Sequence, residues 1–370
     1  MIEEKQLDII PTSRVARQFA RRLLDWYKEH GRDLPWRHTQ DPYHILVSEI
    51  MLQQTQVERV LRYYPCFLET FPKLKVLAEA PLDRVLKLWE GMGYYARARN
   101  LHRAAQIILT EHGGRVPSEL STLQALPGVG YNTAASVASF AYQGAWPVLD
   151  GNAIRILCRA FLLQGDPRIR AQHKRLLDLA KTLQPAKWAG PFNQALMDLG
   201  ALICRSTNPQ CARCPLSALC AGYASGDPES LPRLTPRPPR PHFDITAGII
   251  WRGKHFLIAQ RQHDKLLGGL WEFPGGKQEK EETLEQCLRR EIREELGIHI
   301  RVEEPFMSLK HGYSHFRFTL HAFHCTYLKG RPRPLGCAAF KWIQIPELQR
   351  YALPRADQKL AAALRAQVGC

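Results

Sequence analysis

Residues 118–142 read SELSTLQALPGVGYNTAASVASFAY, two stretches of helically spaced apolar residues on either side of LPGVG (126–130). Gly128 and Gly130 permit a tight reversal there. The second helix would then open with its free N–H groups pointing outward, where a phosphate oxygen can accept them, and Val129 sits between the two glycines at that opening. A plain capping turn between two helices has the same signature, so the segment alone leaves the structural and the DNA-binding readings level.

The helical spacing extends on both sides. From Thr12 to about Ala201 apolar residues recur at helical intervals, as in VARQFARRLLDWY (15–27) and ILVSEIMLQQTQVERVL (45–61), which predicts a nearly all-helical region. Residues 231–242, LPRLTPRPPRPH, hold five prolines and three arginines and can neither continue a helix nor pair well in a sheet, so they form a linker. Beyond it, residues 245–261 and 315–328 have strand character, with a helix over LEQCLRREIREELG (284–297) between them. The expectation is a multidomain chain: a helical domain over 1–230, the linker 231–242, and a mixed α/β domain over 243–370.

A length of 370 residues exceeds one core, and 45% hydrophobic content is enough to fill two or three. Against 35 Asp and Glu stand 51 Lys and Arg, a formal charge of +16, which calls for an anionic partner, nucleic acid foremost. There is no run of about 18 apolar residues, and Glu3, Glu4 and Asp8 lie where a basic or hydrophobic leader would, so a membrane span and a targeting signal are not expected. The expected setting is cytoplasmic, close to the nucleoid. Of ten cysteines, four crowd into residues 204–220, which points to a metal in a reducing compartment and not to a disulfide framework. Cys204, Cys211, Cys214 and Cys220 are spaced six, two and five residues apart, a set of thiolates suited to zinc or to an iron–sulfur cube.

Two carboxylates stand out. In VLDGNAIRILCRAF (148–161) Asp150 immediately precedes a helix, where it can serve as an N-cap or face developing positive charge from a cleft. Glu49 has Ile45, Leu46, Leu52 and Gln53 as its helical neighbours, a mainly apolar face that would raise its pKa and keep a proton available near neutral pH. A protonated Glu and an ionised Asp form an acid and stabiliser pair for cleaving a glycosidic bond. A core glutamate satisfied by an arginine is the plainer alternative.

RDLPWR (32–37), SEIMLQQTQV (48–57), GYYARARNL (93–101), LPGVG, VLDGNAIR (148–155), the four cysteines and a following α/β domain occur in the order found in MutY adenine DNA glycosylases, and the chain resembles that family over nearly its whole length. The resemblance implies a helix-hairpin-helix glycosylase domain with a [4Fe–4S] loop at 204–220, and a C-terminal domain like the MutT pyrophosphohydrolase that recognises 8-oxoguanine. The implied enzyme flips adenine from a pair with 8-oxoguanine or guanine in double-stranded DNA, acts as a monomer, and removes the base hydrolytically. Glu49 would protonate adenine, at N7 in the family, Asp150 would stabilise the sugar cation, and Asn152 would position the catalytic groups.

On the same basis Gln54 and Tyr94 would enter the duplex, Arg32, Trp36 and Leu52 would wall the adenine pocket, and Thr55, Gly128, Val129 and Gly130 would contact DNA. Two positions depart from the pattern. Asn132 follows Tyr131 where some members have tyrosine, and Gln194 occupies a site that is glutamate in others, so the resemblance leaves a polar contact to the cleft open for both. Endonuclease III-like enzymes, the nearest alternative, have a lysine after the hairpin that forms a Schiff base and breaks the strand; Asn132 offers no such amine.

Near the C-terminus, Gly276, Glu282 and the run REIREELGI (290–298) make a complete Nudix box. Glu291, Glu294 and Glu295 fall on one helical face, where they could gather Mg²⁺ against a diphosphate, while Leu284, Leu288, Ile292 and Leu296 form an opposite apolar stripe that an ordinary amphipathic helix would also show. Hydrolysis of 8-oxo-dGTP is therefore a rival or additional activity. GYSH (312–315) resembles the family loop carrying Phe-Ser-His, so Tyr313 would give a flat contact and Ser314 and His315 hydrogen bonds to the oxidised guanine. A third reading, a non-enzymatic iron–sulfur binder of damaged DNA, shares all of these motifs except the need for the two carboxylates.

Overall fold

The computed structural model describes residues 11–236, 238–313 and 315–367. Its contacts divide these into two compact units, one of residues 11–68, 73–75 and 104–236, the other of residues 69–72, 76–103, 238–313 and 315–367. The second unit thus combines a short helical insert from the first half of the chain with the α/β domain.

In the first unit, Thr12 caps the helix Ser13–His30, and its Phe19 and Leu23, four residues apart, are wholly buried. They join Leu157 of Gly151–Ala160 and Leu196 and Leu199 of Ala189–Leu202 in one core. The reversal at LPGVG joins Leu120–Ala125 to Tyr131–Tyr142, with Gly128 at φ 75° and Gly130 at the N-cap. Ala134, Ala135, Val137 and Ala138 of that helix are fully buried, and their small size lets it pack closely on Pro42–Leu52.

One sequence reading changes in detail. The helical pattern over 45–61 is two helices, Pro42–Leu52 and Val57–Thr70, broken at residues 53–56, where Gln54 is left-handed at φ 54°. Apolar periodicity runs across the break because both helices bury apolar residues, Ile45, Leu46 and Ile50 before it and Val60, Tyr64 and Phe67 after it. It therefore hides the interruption.

The second unit is built on a six-stranded sheet of β1 (His242–Arg252), β2 (His255–Gln260), β3 (Trp271–Glu272), β4 (His299–Gly312), β5 (Arg317–Lys329) and β6 (Ala339–Ile343). β1 and β5 run parallel at the centre; β4 pairs antiparallel with β5, and β2 antiparallel with β1, β3 and β6. The strand reading over 245–261 covers the β1–β2 hairpin, turned at Gly253 (φ 62°), while β3, β4 and β6 carry too weak an alternation to have been singled out. The helix Leu284–Leu296 opens with a capping box of Thr283 and Gln286 and stops at Gly297 (φ 68°). Its Leu288, Ile292 and Leu296 are wholly buried against one face of the sheet, each worth about 1.5–3 kcal/mol. Leu360 and Leu364 of Arg355–Gln367 cover the other face.

Candidate active site

A cleft of about 810 Å³ opens in the first unit, lined by residues from most of its helices, including Glu49 and Asp150. Glu49 lies half-buried on Pro42–Leu52 among fully buried neighbours, and Asp150 caps Gly151–Ala160. Burial pushes the Glu49 carboxyl up to about 7; a hydrogen bond with Ser136 and the charge of Arg37 pull it down, and the charge of Asp150 raises it further. The group thus exchanges its proton near neutral pH. Glu49 and Asp150 line the same cleft.

Asp150 accepts hydrogen bonds from the Ala153 amide at 2.7 Å and from Asn152 Nδ2 at 2.8 Å. It is an N-cap and a cleft residue at once, one oxygen capping the helix and the other held by Asn152, while the residue lines the cavity. Asn152 is itself held by Arg155, whose Nη2 donates to Asn152 Oδ1 and to the Gly200 carbonyl, both at 2.8 Å, and whose Nε donates to the Cys204 carbonyl at 2.7 Å. A Cβ at Gly200 would stand 2.4 Å from Asn152 Cβ, so only glycine allows Asn152 this position. Arg155, Gly200 and Ser136 were not singled out from the sequence, because nothing local distinguishes them.

Asn132 and Gln194 both line the cleft. Asn132 clamps the backbone of Leu149, donating to its carbonyl at 2.7 Å and accepting from its amide at 3.0 Å, and so fixes the residue before Asp150. Gln194 accepts from the Tyr27 hydroxyl at 2.7 Å. Arg32 and Arg37 converge on Asp198, whose side chain is fully buried, with bonds of 2.7–2.8 Å. Burial alone would raise the Asp198 carboxyl, but the Arg37 bonds and charge, with Arg32, hold it below its usual range. The pairing fixes Arg32 at the cleft beside Leu34, Leu52 and Trp36, the last packed edge-on against Tyr64 at 5.4 Å.

Gln54, Thr55, Gly128 and Gly130 also line the cleft, and Val129 is buried beneath the reversal. Gln53 ties the two segments together, its Nε2 donating to the Gly128 carbonyl and to Thr133 Oγ1 at 3.1 and 3.0 Å. Among the described residues seven non-glycines adopt positive φ, and Gln54 (54°) and Tyr94 (50°) are two of them. Such strain, about 1–3 kcal/mol each, persists where surrounding structure enforces it and tends to collect at functional sites. Tyr94 belongs to the second unit, its side chain exposed.

Cys204, Cys211, Cys214 and Cys220 line one small cavity with Arg159. Burial and the neighbouring thiols push Cys214 up to about 12 and raise Cys211 and Cys220. Such crowding favours thiolates only with a cation among them. Arg159, nearly inaccessible, donates to Cys204 Sγ at 3.4 Å and to the carbonyls of Arg205 and Ser206, so a positive charge already faces the sulfurs. The donor set and its surroundings fit an anionic metal–thiolate group. Among the described residues no three His, Cys, Asp or Glu side chains converge tightly enough for a single metal ion.

In the second unit, Arg290 of the Nudix box pairs with Glu282 (2.7 Å), Glu291 (2.9 Å) and Glu294 (3.3 Å). The Glu291 carboxyl lies where a Cβ on Gly276 would fall. Glu295 has one buried oxygen without a partner and is pushed up to about 8, first by burial and then by Glu272 and Glu291. Tyr313 sits in an aromatic cluster, stacked on Phe318 at 5.6 Å and 5.3 Å from His311, and its amide closes a turn onto the Phe316 carbonyl. His315 is exposed at that turn; Ser314 lies outside the described residues.

Residues 47–182 match the model of the HhH-GPD superfamily of base excision DNA repair proteins, and residues 246–363 that of the NUDIX domain. Among curated relatives, the adenine DNA glycosylase of Rattus norvegicus is 33% identical over 92% of this chain and 77% of its own length. That of Buchnera aphidicola from Acyrthosiphon pisum is 33% identical over 92% and 96%. Among solved structures, a thermostable thymine-DNA glycosylase superposes with a TM-score of 0.54 and 33% identity, covering 58% of this chain and 99% of that one. An endonuclease III trapped on DNA, at 20% identity and a TM-score of 0.51, shares the helical fold over 58% of this chain and 99% of its own. With both domain models in the expected order and full-length relatives above 30% identity, this chain is an enzyme of the adenine DNA glycosylase family, a helix-hairpin-helix glycosylase domain followed by a Nudix-type domain.

Proposed function

We propose that this glycosylase flips adenine out of duplex DNA, where it lies opposite 8-oxoguanine or guanine, and hydrolyses its N-glycosidic bond without cutting the strand. The observation that carries the reading is the pairing, in one cleft, of a carboxyl that titrates near 7 with a second carboxylate held by two N–H donors. Glu49 delivers its proton to a ring nitrogen of the flipped base, so that the bond to the sugar breaks with its electron pair leaving on adenine. Asp150 faces the cation that develops on the sugar, and water then adds to it. Asn152 and Asn132 act on geometry, the first holding the Asp150 carboxylate and the second the backbone before it. The amide of Asn132 is committed to that clamp and is not nucleophilic, which supports base removal without a lyase step.

The four cysteines would hold a [4Fe–4S] cluster, with Arg159 donating toward its thiolates; such a cluster would brace the loop 204–220. Tyr313, Ser314 and His315 would meet the oxidised guanine. Glu291, Glu294 and Glu295 would hold Mg²⁺ if the box works as a hydrolase, and the unpartnered Glu295 oxygen is the feature that fits a cation there. Arg290 already pairs with two of the three, Glu291 and Glu294, which favours a scaffold role over turnover of 8-oxo-dGTP. Single-turnover incubation with a duplex holding adenine opposite 8-oxoguanine, followed by alkali, is the test. Adenine released with strands broken only after alkali is the expected result. Free breakage without alkali, or no release, would overturn the reading.

A further inference from the structure

The helical insert of the second unit carries a loop, residues 91–94, of unusual conformation. Gly91 and Gly93 are at φ 89° and 83°, and Tyr94, at φ 50°, presents a side chain 45% exposed. A tyrosine does not stay left-handed and half in water on its own account, so the loop must be held from outside. The holding contacts come from the far end of the chain. Glu90 Oε1 accepts the Leu353 amide at 2.9 Å, and Tyr95 Oη donates to the Leu353 carbonyl at 3.3 Å while accepting the Gly91 amide at 3.2 Å. Lys87 bridges the same pair of segments, bonding Glu90 at 2.5 Å and the Tyr351 carbonyl at 3.0 Å.

Both backbone polar groups of Leu353 are therefore bound by side chains of the two residues that flank the loop. Leu353 and Tyr95 are buried, which shields these bonds from water. Residues 351–353 are anchored in turn: Trp271 of β3 donates to the Ala352 carbonyl at 2.9 Å, and Asp357 of the following helix accepts the Phe273 amide at 3.0 Å. Inside the loop, Trp89 Nε1 and Arg97 Nη2 each donate to the Gly93 carbonyl at 3.1 Å, and Arg97 lies over the Tyr94 ring at 5.5 Å. The strained conformation of Tyr94 is thus continuous, bond by bond, with the Nudix sheet.

We propose that residues 351–353 of the Nudix domain clamp the loop 91–94 through Glu90 and Tyr95, so that this domain sets the presentation of Tyr94 and with it the opening of the duplex, in addition to reading the base opposite adenine. Glu90 and Tyr95 are positioning residues, acting through Tyr94. The inference rests on the reading that Tyr94 enters the duplex as a wedge.

The test uses the full-length holoenzyme and a duplex with 2-aminopurine beside the target adenine, whose fluorescence follows base opening in stopped flow. Tyr94→Ala is expected to slow opening by about tenfold or more. Tyr95→Phe and Glu90→Met, which keep most of the shape and remove the bonds to Leu353, are expected to slow it severalfold each, and to add nothing when combined with Tyr94→Ala. Asp83→Ala removes a different contact of the same insert, the Gln260 bond at 3.0 Å, and is expected to leave opening within twofold. If Tyr94→Ala is slow while Tyr95→Phe and Glu90→Met open like wild type, the clamp is wrong and the wedge stands. Effects that add to Tyr94→Ala, or that Asp83→Ala reproduces, would equally overturn it. Wild-type opening by Tyr94→Ala would remove the wedge reading itself, and the clamp with it.

Discussion

The chain holds two gatherings of carboxylates, and they are finished differently. In the first unit Glu49 and Asp150 line an open cleft; Arg37, whose charge acts on Glu49, forms its ion pair with Asp198, and Arg155 beside Asp150 donates to Asn152 and to backbone carbonyls. In the second unit Arg290 sits among Glu282, Glu291 and Glu294 and is ion-paired with all three. A site that must push charge onto a substrate keeps its own charges unpaired and pays for that with burial and strain; a site whose glutamates already satisfy an arginine has settled into structure. The difference teaches that an intact motif reports the fold that carries it, while the pairing of its side chains reports the work left to do.

Asp150→Asn is the change with the largest expected effect. Asparagine is an equally good N-cap, so the helix Gly151–Ala160 and duplex affinity should survive, while base release under single turnover falls by about 10³-fold or more. Release within tenfold of wild type would leave Asp150 a cap and erase the contrast between the two sites.

Glu49→Gln comes next, with a loss of about 10²–10⁴-fold for removal of a general acid. The wild-type rate should be flat at acid pH and fall as pH rises through about 7, since only the protonated form donates. The same shift makes a stability statement. The folded state holds a proton on Glu49 that the unfolded chain, titrating near 4.5, gives up. Stability is therefore lost as pH rises from about 4.5 to 7, and Gln should recover about 1–2 kcal/mol at neutral pH in a denaturant titration. A rate without a break near 7 would break the comparison at its strongest point.

The smallest effect is expected in the second unit. Glu294→Gln with Glu295→Gln should leave excision within twofold. Because Glu295 is pushed up to about 8, ionising it costs stability between about pH 4.5 and 8; relief of that cost should match or exceed the loss of the exposed Glu294 pair, leaving the midpoint unchanged or slightly raised. Turnover of 8-oxo-dGTP with Mg²⁺ by wild type, abolished by these substitutions, would show the second gathering to be as unfinished as the first.

By itself the sequence determined what short-range chemistry can express. LPGVG, the cysteine spacing, Asp150 ahead of its helix, Glu49 on an apolar face and the glutamates at i, i+3 and i+4 are all local patterns, and each lies where the pattern places it, because turn, cap and helical period are set by neighbours in the chain. The break at residues 53–56 escaped for the same reason, since apolar residues are buried on both sides of it and a local pattern reads straight across. Only the tertiary structure decided how the side chains pair. Ser136 on Glu49, Asp198 between Arg32 and Arg37, Asn132 on Leu149, Arg155 between Asn152 and Cys204, and Leu353 between Glu90 and Tyr95 join residues far apart in the chain. A hydrogen bond needs its partners within about 3 Å, and no periodicity along a chain says which distant segment will come that close until the cores have packed.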